Sequence, residues 1–184
     1  MKTIKNIFPV ALIAVLSLSI TSTVTAQMSP YKFDQLFQQA FAQVVEGNHE
    51  DALPILERLY HANRTHAQVA YLYGVCRMNS NDQDLAVTRK VLEVASANFD
   101  YRHRYGCVED KSAPVKVWFH LAEVNARENR VEKAIESYRN YMSCIPLASL
   151  NHKRMVKDRI SELKEQRLAN TKSNENELLA NVKP

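Results

Sequence analysis

The chain has 184 residues and carries 24 basic and 20 acidic side chains, so its formal net charge at pH 7 is +4. Without the two lysines of the N-terminal segment the charge falls from +4 to +2, which is too small to predict binding to nucleic acid or to anionic lipid. The chain contains only three glycines and is rich in Ala, Leu, Glu, Gln, Lys and Arg, which predicts an all-helical domain.

Residues 1–26 are predicted to form a secretory signal peptide. Lys2 and Lys5 precede an apolar run over residues 8–20, and a stretch of small residues ends at Ala26, after which the cut is expected. The apolar run is shorter than a comfortable membrane span and no second run follows it, although a retained N-terminal anchor is the alternative. Cleavage would leave 158 of the 184 residues as one periplasmic or secreted domain without a membrane span.

A pattern of 34 residues occurs three times and predicts three helical hairpins. The clearest copy covers residues 115–148. Its positions 4, 7, 8, 20, 24, 27 and 32 are Trp118, Leu121, Ala122, Ala134, Tyr138, Tyr141 and Pro146. The small residues let two antiparallel helices approach closely, the large ones fill the space around that contact, and the proline ends the second helix. This spacing resembles the tetratricopeptide repeat, with an ordinary hairpin of a helical bundle as the alternative.

The same register identifies residues 33–66 and 67–100 as two earlier copies. The second of them is the poorest match, although Ala86 stands at position 20. A better apolar stripe in its second helix is formed by Leu85, Thr88, Leu92 and Ala95. That helix is therefore expected to be shifted in phase by a residue or two.

Residues 101–114 are an insert between the second and third copies. Gly106 and Pro114 disfavour helix within it, and Pro114 pushes Ala113 towards an extended conformation. Long loops in compact domains are often functional, but a plain bridge between two repeats is the equally weighted alternative. The residues of the insert that combine aromatic area with positive charge, and that are predicted to contact a partner, are Tyr101, Arg102, Arg104 and Tyr105.

An apolar stripe predicts a capping helix over residues 148–168, which would cover the open edge of the third copy. The stripe consists of Leu150, Met155, Val156, Ile160, Leu163 and Leu168. Residues 169–184 have weak periodicity and are predicted to be a flexible tail. The predicted fold is all-α, a right-handed α-solenoid of three tetratricopeptide hairpins plus the capping helix, and it forms one domain over residues 27–168.

The three cysteines are Cys76, Cys107 and Cys144. Cys76 lies among apolar neighbours and is expected to be a buried thiol. Cys107 lies in the insert and Cys144 near a helix end, so in an oxidising compartment these two are the candidates for a disulfide. A free thiol at both positions is the alternative.

No arrangement of residues in the sequence predicts catalysis. The six histidines lack the HExxH spacing of a zinc site, and the chain has neither a GxSxG motif nor a glycine-rich phosphate loop. Acidic and basic residues alternate along the predicted helices, as they do on solvated helix faces. The sequence therefore predicts a protein that is not an enzyme and that holds neither a metal nor a cofactor.

In tetratricopeptide arrays the first helix of each hairpin lines a concave groove, and the resemblance implies that positions 2, 5, 9, 12 and 13 point into it. Position 5 is aromatic in all three copies, as Phe37, Tyr71 and Phe119. The groove is therefore expected to be an apolar partner-binding surface. Its predicted members are Phe37, Phe41, Tyr71, Val75, Met78, Asn79, Lys116, Phe119, Glu123 and Arg127. The alternative, equally weighted for Phe41 and Val44, is that another segment of the same chain covers this surface.

Residues 33–145 resemble the N-terminal tetratricopeptide region of Bacteroidetes cell-envelope proteins that continue into a propeller-type domain and an OmpA-like peptidoglycan-binding domain. The resemblance is carried by ALPILERLY (52–60), YLYGVCRMNS (71–80) and WFHLAEVNARENRVEKAIESYRNYM (118–142), with the insert ending in Ala-Pro. Together with the groove, it predicts an exported scaffold that binds a protein or peptide partner in the cell envelope. A self-associating structural subunit and a lipid- or glycan-binding carrier are the alternatives.

Overall fold

The computed structural model describes residues 28–80, 84–146 and 149–181, with side chains as far as Lys172. The predicted signal peptide and its cleavage site lie outside the described residues.

Seven helices and two short strands make up the described part of the chain. They are α1 (Pro30–Glu46), α2 (His49–Ala62), α3 (Ala67–Asn79), α4 (Leu85–Ser96), β1 (Phe99–Asp100), β2 (Ala113–Pro114), α5 (Val117–Arg127), α6 (Val131–Cys144) and α7 (Leu150–Asn181). Each helix packs against the next along the chain, so that three hairpins stack in a row and α7 closes the row. The predicted all-α solenoid is therefore confirmed.

Small residues lie where the two helices of each hairpin meet. Ala40 and Ala52 are fully buried in the first hairpin, and Ala122 and Ala134 are fully buried in the third. In the second hairpin this place belongs to Gly74, where an added Cβ would lie 2.5 Å from Cδ2 of Leu92. The helices approach closely because these positions carry little or no side chain.

The fourth helix is shifted in phase, as the sequence predicts. Ala86, which the repeat register places at the hairpin contact, is exposed. Thr88, Leu92 and Ala95 are buried instead. Asp84 caps the start of this helix, because its carboxylate accepts a hydrogen bond of 3.1 Å from the backbone N–H of Val87.

The insert leaves and re-enters the solenoid at one place. Strands β1 and β2 pair in parallel, with Phe99 opposite Ala113 and Asp100 opposite Pro114. The backbone N–H of Ala113 also donates to the carbonyl of Asn98 at 2.8 Å. The two ends of the insert are thereby tied together at the junction between α4 and α5.

Helix α7 covers the third hairpin but is longer than the sequence pattern indicates. Val156, Ile160 and Leu163 are buried, and α7 packs against α6. Leu150 and Leu168, predicted to share the buried stripe, are exposed, because only about two turns of α7 face the hairpin.

The apolar pattern places the end of this helix at Leu168, followed by the predicted flexible tail. In the structure the helix continues to Asn181. Beyond Leu163 the described side chains of α7 are exposed. No described helix combines the length and the apolar character that a membrane span requires.

Replacement of Gly74 by valine is expected to lower the free energy of unfolding by about 1–3 kcal/mol, because the new methyl groups would overlap Leu92, which is fully buried. Urea unfolding followed by circular dichroism measures the change. In a Leu92→Ala background the same substitution should cost much less, since the space it needs is then empty. Equal costs in the two backgrounds would contradict this account of the contact.

Candidate functional site

The insert lies on the concave surface of the first two hairpins. The ring of Tyr105 makes edge-to-face contacts with Phe41 and Tyr71, at centroid distances of 5.1 and 6.4 Å. The adjacent Gly106 lies so close to Phe41 that an added Cβ would be 2.6 Å from the ring. Phe37 is fully buried below Phe41, at a centroid distance of 6.2 Å. This half of the groove is therefore already occupied by the same chain.

This occupancy corrects the prediction of a continuous exposed groove. Phe37 and Tyr71 belong to the core, and Phe41, Val44 and Val75 are partly buried against it. Met78 is also buried, and Asn79 at the end of α3 donates its side-chain amide to the carbonyl of its own helix at Val75. Another segment of the chain, the insert, thus lies against Phe41 and Tyr71, whereas partner binding by the other predicted groove residues stays a prediction.

Three side chains of the solenoid bind alternate backbone carbonyls of the insert. Gln68 donates to Arg104 O at 3.2 Å, and Gln38 donates to Gly106 O at 3.2 Å. The ring of His66 lies 3.1 Å from Val108 O through its Nε2. A carbonyl can only accept, so each of these side chains presents an N–H group to the insert.

The position of His66 defines its tautomer. It is the N-cap of α3, where Nδ1 accepts from the backbone N–H of Val69 at 3.4 Å. The proton must therefore be on Nε2, which donates to Val108 O. Burial lowers the pKa of His66, against the raising effect of the Val108 hydrogen bond, so the ring is neutral at pH 7.

Asp110 organises the insert from within. Its carboxylate accepts from the backbone N–H of Arg104 at 2.7 Å, and from the backbone N–H and hydroxyl of Ser112 at 3.0 and 2.6 Å. Burial raises the pKa of Asp110, but the hydrogen bonds from Ser112 and Arg104 outweigh it and hold that pKa at about 2. The carboxylate therefore stays ionised and pins both ends of the loop.

His103 connects this network to the solenoid. Its Nε2 lies 2.9 Å from the amide nitrogen of Gln68, which donates because the same amide also bonds Arg104 O. The proton of His103 is then on Nδ1, which lies 3.2 Å from the Ser112 hydroxyl. Ser112 donates to Asp110 rather than to the imidazole, so the order is not that of a nucleophilic triad.

The predicted contact residues of the insert divide into two groups. Tyr105 turns one side to the groove and leaves 50% of its surface exposed, whereas Tyr101 is 67% exposed. Arg102 and Arg104 are both exposed. Both tyrosines also make contacts within the chain, Tyr101 with Phe99 and Tyr105 with Phe41, and Arg104 lies 4.0 Å from the Asp110 carboxylate although its side chain is exposed.

The third repeat keeps an open groove between α5 and α7. Phe119 is half-buried there, and its ring lies 5.8 Å from Tyr138 and 5.5 Å from Tyr141. The space has a volume of about 650 Å³, and we call it the α5–α7 groove. Its lining residues are Phe119, Glu123, Asn151, Arg154, Met155, Val156, Asp158, Arg159 and Glu162.

Paired charges form one wall of this groove. Glu123 accepts a hydrogen bond from the hydroxyl of Tyr138 and lies 3.8 Å from Nε of Arg159. Arg159 also bonds Glu162 at 2.9 Å. The wall therefore holds two carboxylates against one guanidinium, a formal charge of −1, while Met155 is 45% exposed and supplies apolar surface.

Two members of this groove follow from the repeat register, and the others lie on α7. Phe119 and Glu123 were predicted, but the side chains of α7 were assigned only a capping role. A helix that caps a solenoid necessarily borders the last section of its groove, and that geometric fact is the signal that could have found Met155 and Arg154. Lys116 and Arg127, predicted at the edge, are exposed at the two ends of α5.

The candidate Cys107–Cys144 disulfide is not formed in this structure, in which all three cysteines are free. Cys107 donates to Glu109 at 2.8 Å within the insert, and Cys144 at the end of α6 lies 3.5 Å from the hydroxyl of Tyr101. The turns of the insert direct the two thiols to different partners. Cys76 is the buried thiol that the sequence predicts, and burial raises its pKa to about 12.

The described residues contain no cluster of three or more His, Cys, Asp or Glu side chains that could hold a metal ion. The described side chains form an apolar surface between helices in the third repeat and a filled surface of alternating polar and aromatic contacts in the first two.

Solved structures with a similar fold are tetratricopeptide-like helical chaperones. The type III secretion translocator chaperone SycD of Yersinia enterocolitica matches with a TM-score of 0.57 and 15% identity, over 76% of this chain and 88% of that one. SycD in complex with a peptide of the translocator YopD matches with a TM-score of 0.55 and 18% identity, over 76% and 97%. A type III secretion complex from Aeromonas hydrophila gives 0.53 and 19%, over 76% and 85%. At these identities the similarity establishes the fold alone.

Among curated proteins, the outer membrane protein assembly factor BamD of Xylella fastidiosa (strain 9a5c) is 31% identical over 62 residues. That segment is 34% of this chain and spans about a fifth (21%) of the relative. No family profile matches the chain. The resemblance to the Bacteroidetes envelope proteins stays a prediction.

Replacement of Asp110 by alanine is expected to loosen the insert, because two backbone N–H groups and one hydroxyl lose their acceptor, at about 1–3 kcal/mol for each group that stays buried. Amide hydrogen exchange at Arg104 and Ser112 should become at least about tenfold faster. Lys111→Ala, at an exposed neighbouring position, is the control. Unchanged exchange in Asp110→Ala would show that the carboxylate does not hold the loop.

The free energy of unfolding is expected to fall as the pH is lowered from about 7 towards about 4. Burial lowers the pKa of His66, His103 and His120, the last to about 4, so below about 6.5 the unfolded chain takes up protons that the folded chain does not. The stabilisation is complete above that pH and is lost between it and the folded-state values. Urea unfolding at about pH 7 and about pH 5.5 measures it.

The contribution of His120 to this pH dependence of the free energy of unfolding can be measured with a single substitution. His120→Gln should make the decline between these two pH values shallower, whereas His61→Gln, at an exposed ring, should leave it unchanged. If the free energy of unfolding falls by the same amount in wild type and in His120→Gln, this histidine is not a cause of the pH dependence.

Proposed function

We propose that the chain is a non-enzymatic, exported scaffold that binds a protein or peptide partner in the cell envelope through the α5–α7 groove. The observation that carries the proposal is the difference between the two halves of the concave surface. The half formed by the first two repeats is filled by the insert, whereas Phe119 and Met155 remain accessible in a space of about 650 Å³. An apolar surface of this kind on a helical array suits an apolar segment of a partner.

The ring of Phe119 in the α5–α7 groove packs against two buried tyrosines. Tyr138 is fully buried and Tyr141 nearly so, and both contact the ring of Phe119. Phe119 therefore loses little freedom when a ligand covers it, which favours affinity. Burial of one apolar side chain of the partner between Phe119 and Met155 would contribute on the order of 2 kcal/mol.

The comparisons support a peptide ligand and an envelope location in different ways. The fold is shared with a chaperone whose structure contains a bound peptide, which supports a protein segment as the ligand class. The local similarity to an outer membrane protein assembly factor supports a role in the envelope, and so does the predicted signal peptide. Arg154 and Asp158 at the solvent side of the groove would orient the bound segment through polar contacts.

Self-association is a second candidate function, and one observation favours it. Leu150 and Leu168 are 71% and 61% exposed, and their spacing along α7 corresponds to whole turns, so they lie on the same face. A second copy could cover both. Light scattering that shows a stable dimer abolished by Leu150→Asp would favour a structural subunit over a monomeric peptide binder.

The partner can be identified and tested in two steps. A photo-crosslinking residue at position 155 is expected to capture one dominant envelope protein in cells, and peptides that cover the captured region identify the bound segment. Met155→Asp should then weaken binding of that peptide by at least about tenfold, because it places a charge on the apolar floor of the α5–α7 groove. Val45→Asp, which changes another exposed apolar residue on α1, is the matched control.

Two results would contradict the proposal. Equal affinities of Met155→Asp and Val45→Asp would exclude the α5–α7 groove as the binding site. Crosslinks from position 155 to this chain alone would favour self-association instead.

A further inference from the structure

The concave face of the first two repeats has the contacts of a peptide-binding site. Gln68, Gln38 and His66 bind the carbonyls of residues 104, 106 and 108, which are every second residue of the insert. These three donors come from α1, from α3 and from the cap of α3. They therefore hydrogen-bond a backbone in the groove from both of its walls. Main-chain recognition of this kind is independent of the ligand's side chains.

Side-chain selectivity is provided at one place. The ring of Tyr105 fits between Phe41 and Tyr71, and edge-to-face packing of this kind contributes beyond simple burial. The next residue, Gly106, has a φ of 81° and no room for a Cβ beside Phe41. The surface therefore accepts an aromatic residue that is followed by glycine in a tight turn.

The attachment of the insert would let it leave as a unit. Its ends are held together by the pairing of β1 with β2, and this pairing involves neither Gln38 nor Gln68. The aromatic residues beneath are already packed against the solenoid core, because Phe37 and Tyr71 are almost fully buried. Although residues 104–108 contact both α1 and α3, the first two hairpins also pack directly against each other through α2 and α3, so their stacking does not depend on the insert alone.

We propose that this face is a second peptide-binding site, which the insert occupies and which binds a partner segment with an aromatic–glycine turn when the insert is displaced. A tethered segment acts at an effective concentration of the order of millimolar, so the insert excludes weak ligands and admits only those that outcompete it. The proposal rests on the proposed function only in treating the chain as a peptide binder. It concerns a separate surface from the α5–α7 groove.

The test uses the insert itself as the probe. A fluorescent peptide with the sequence of residues 101–112, carrying Cys107→Ser, is titrated against the purified protein and followed by anisotropy. Gly106→Val in the protein should displace its own insert, because the added Cβ would meet Phe41 and the backbone at this position is left-handed. The peptide is expected to bind this variant at least tenfold more tightly than wild type.

Two matched controls identify the site of binding. Within the Gly106→Val protein, Gln38→Leu should weaken peptide binding at least tenfold, whereas Gln39→Leu, at the adjacent exposed position of α1, should not. A peptide that itself carries Gly106→Val should not bind. Met155→Asp should leave this affinity unchanged, so failure of the proposed function at the α5–α7 groove is distinguishable from failure here.

The outcomes are decisive in either direction. If Gly106→Val binds the peptide no better than wild type, or if Gln38→Leu and Gln39→Leu have the same effect, the proposal is overturned. If Gly106→Val does not fold by circular dichroism, Tyr105→Ser replaces it, since this change removes the aromatic contact without backbone strain. The same tenfold gain is then required of that variant.

Discussion

Gly106 lies so close to the ring of Phe41 that no larger residue fits between them. This contact decides which part of the concave surface is covered by the insert and which part stays open. It brings Tyr105 between the aromatic residues of α1 and α3 and brings three carbonyls to three donors. The predicted ligand surface thereby becomes an internal interface in the first two repeats, and the third repeat is left as the open section.

A polar loop can fill an aromatic groove only if its backbone groups are paired, because each buried unpaired group costs about 1–3 kcal/mol. The solenoid supplies Gln38, Gln68 and His66 for this purpose, and the insert supplies Asp110 for its own N–H groups. The histidines take part as neutral rings, since burial lowers their pKa. Because these neutral histidines hydrogen-bond the insert or its partner Gln68, the contact between the insert and the solenoid is sensitive to protonation of the rings.

The α5–α7 groove arises from a different constraint. In the described part of the chain the third hairpin is followed by the single helix α7, which covers the edge of α6 with Val156, Ile160 and Leu163 and borders the groove with its adjacent face. The ion pair of Arg159 with Glu123 joins α7 to α5, while Glu162 pairs with Arg159 within α7, and Met155 lines the same groove as Phe119. One face of α7 thus caps the solenoid and its adjacent face lines the α5–α7 groove.

The sequence by itself determined the helices, the three hairpins, the phase shift of α4 and the buried thiol of Cys76. These features depend on residues a few turns apart, so periodicity and small residues such as Ala122 and Ala134 suffice to identify them. Only the tertiary structure decided which groove residues are covered and that Cys107 and Cys144 are free thiols. Those outcomes depend on contacts such as that between Gln38 and Gly106, which lie 68 positions apart in the chain. No local pattern encodes a pairing over that separation, because it follows from how the stacked helices place distant residues side by side.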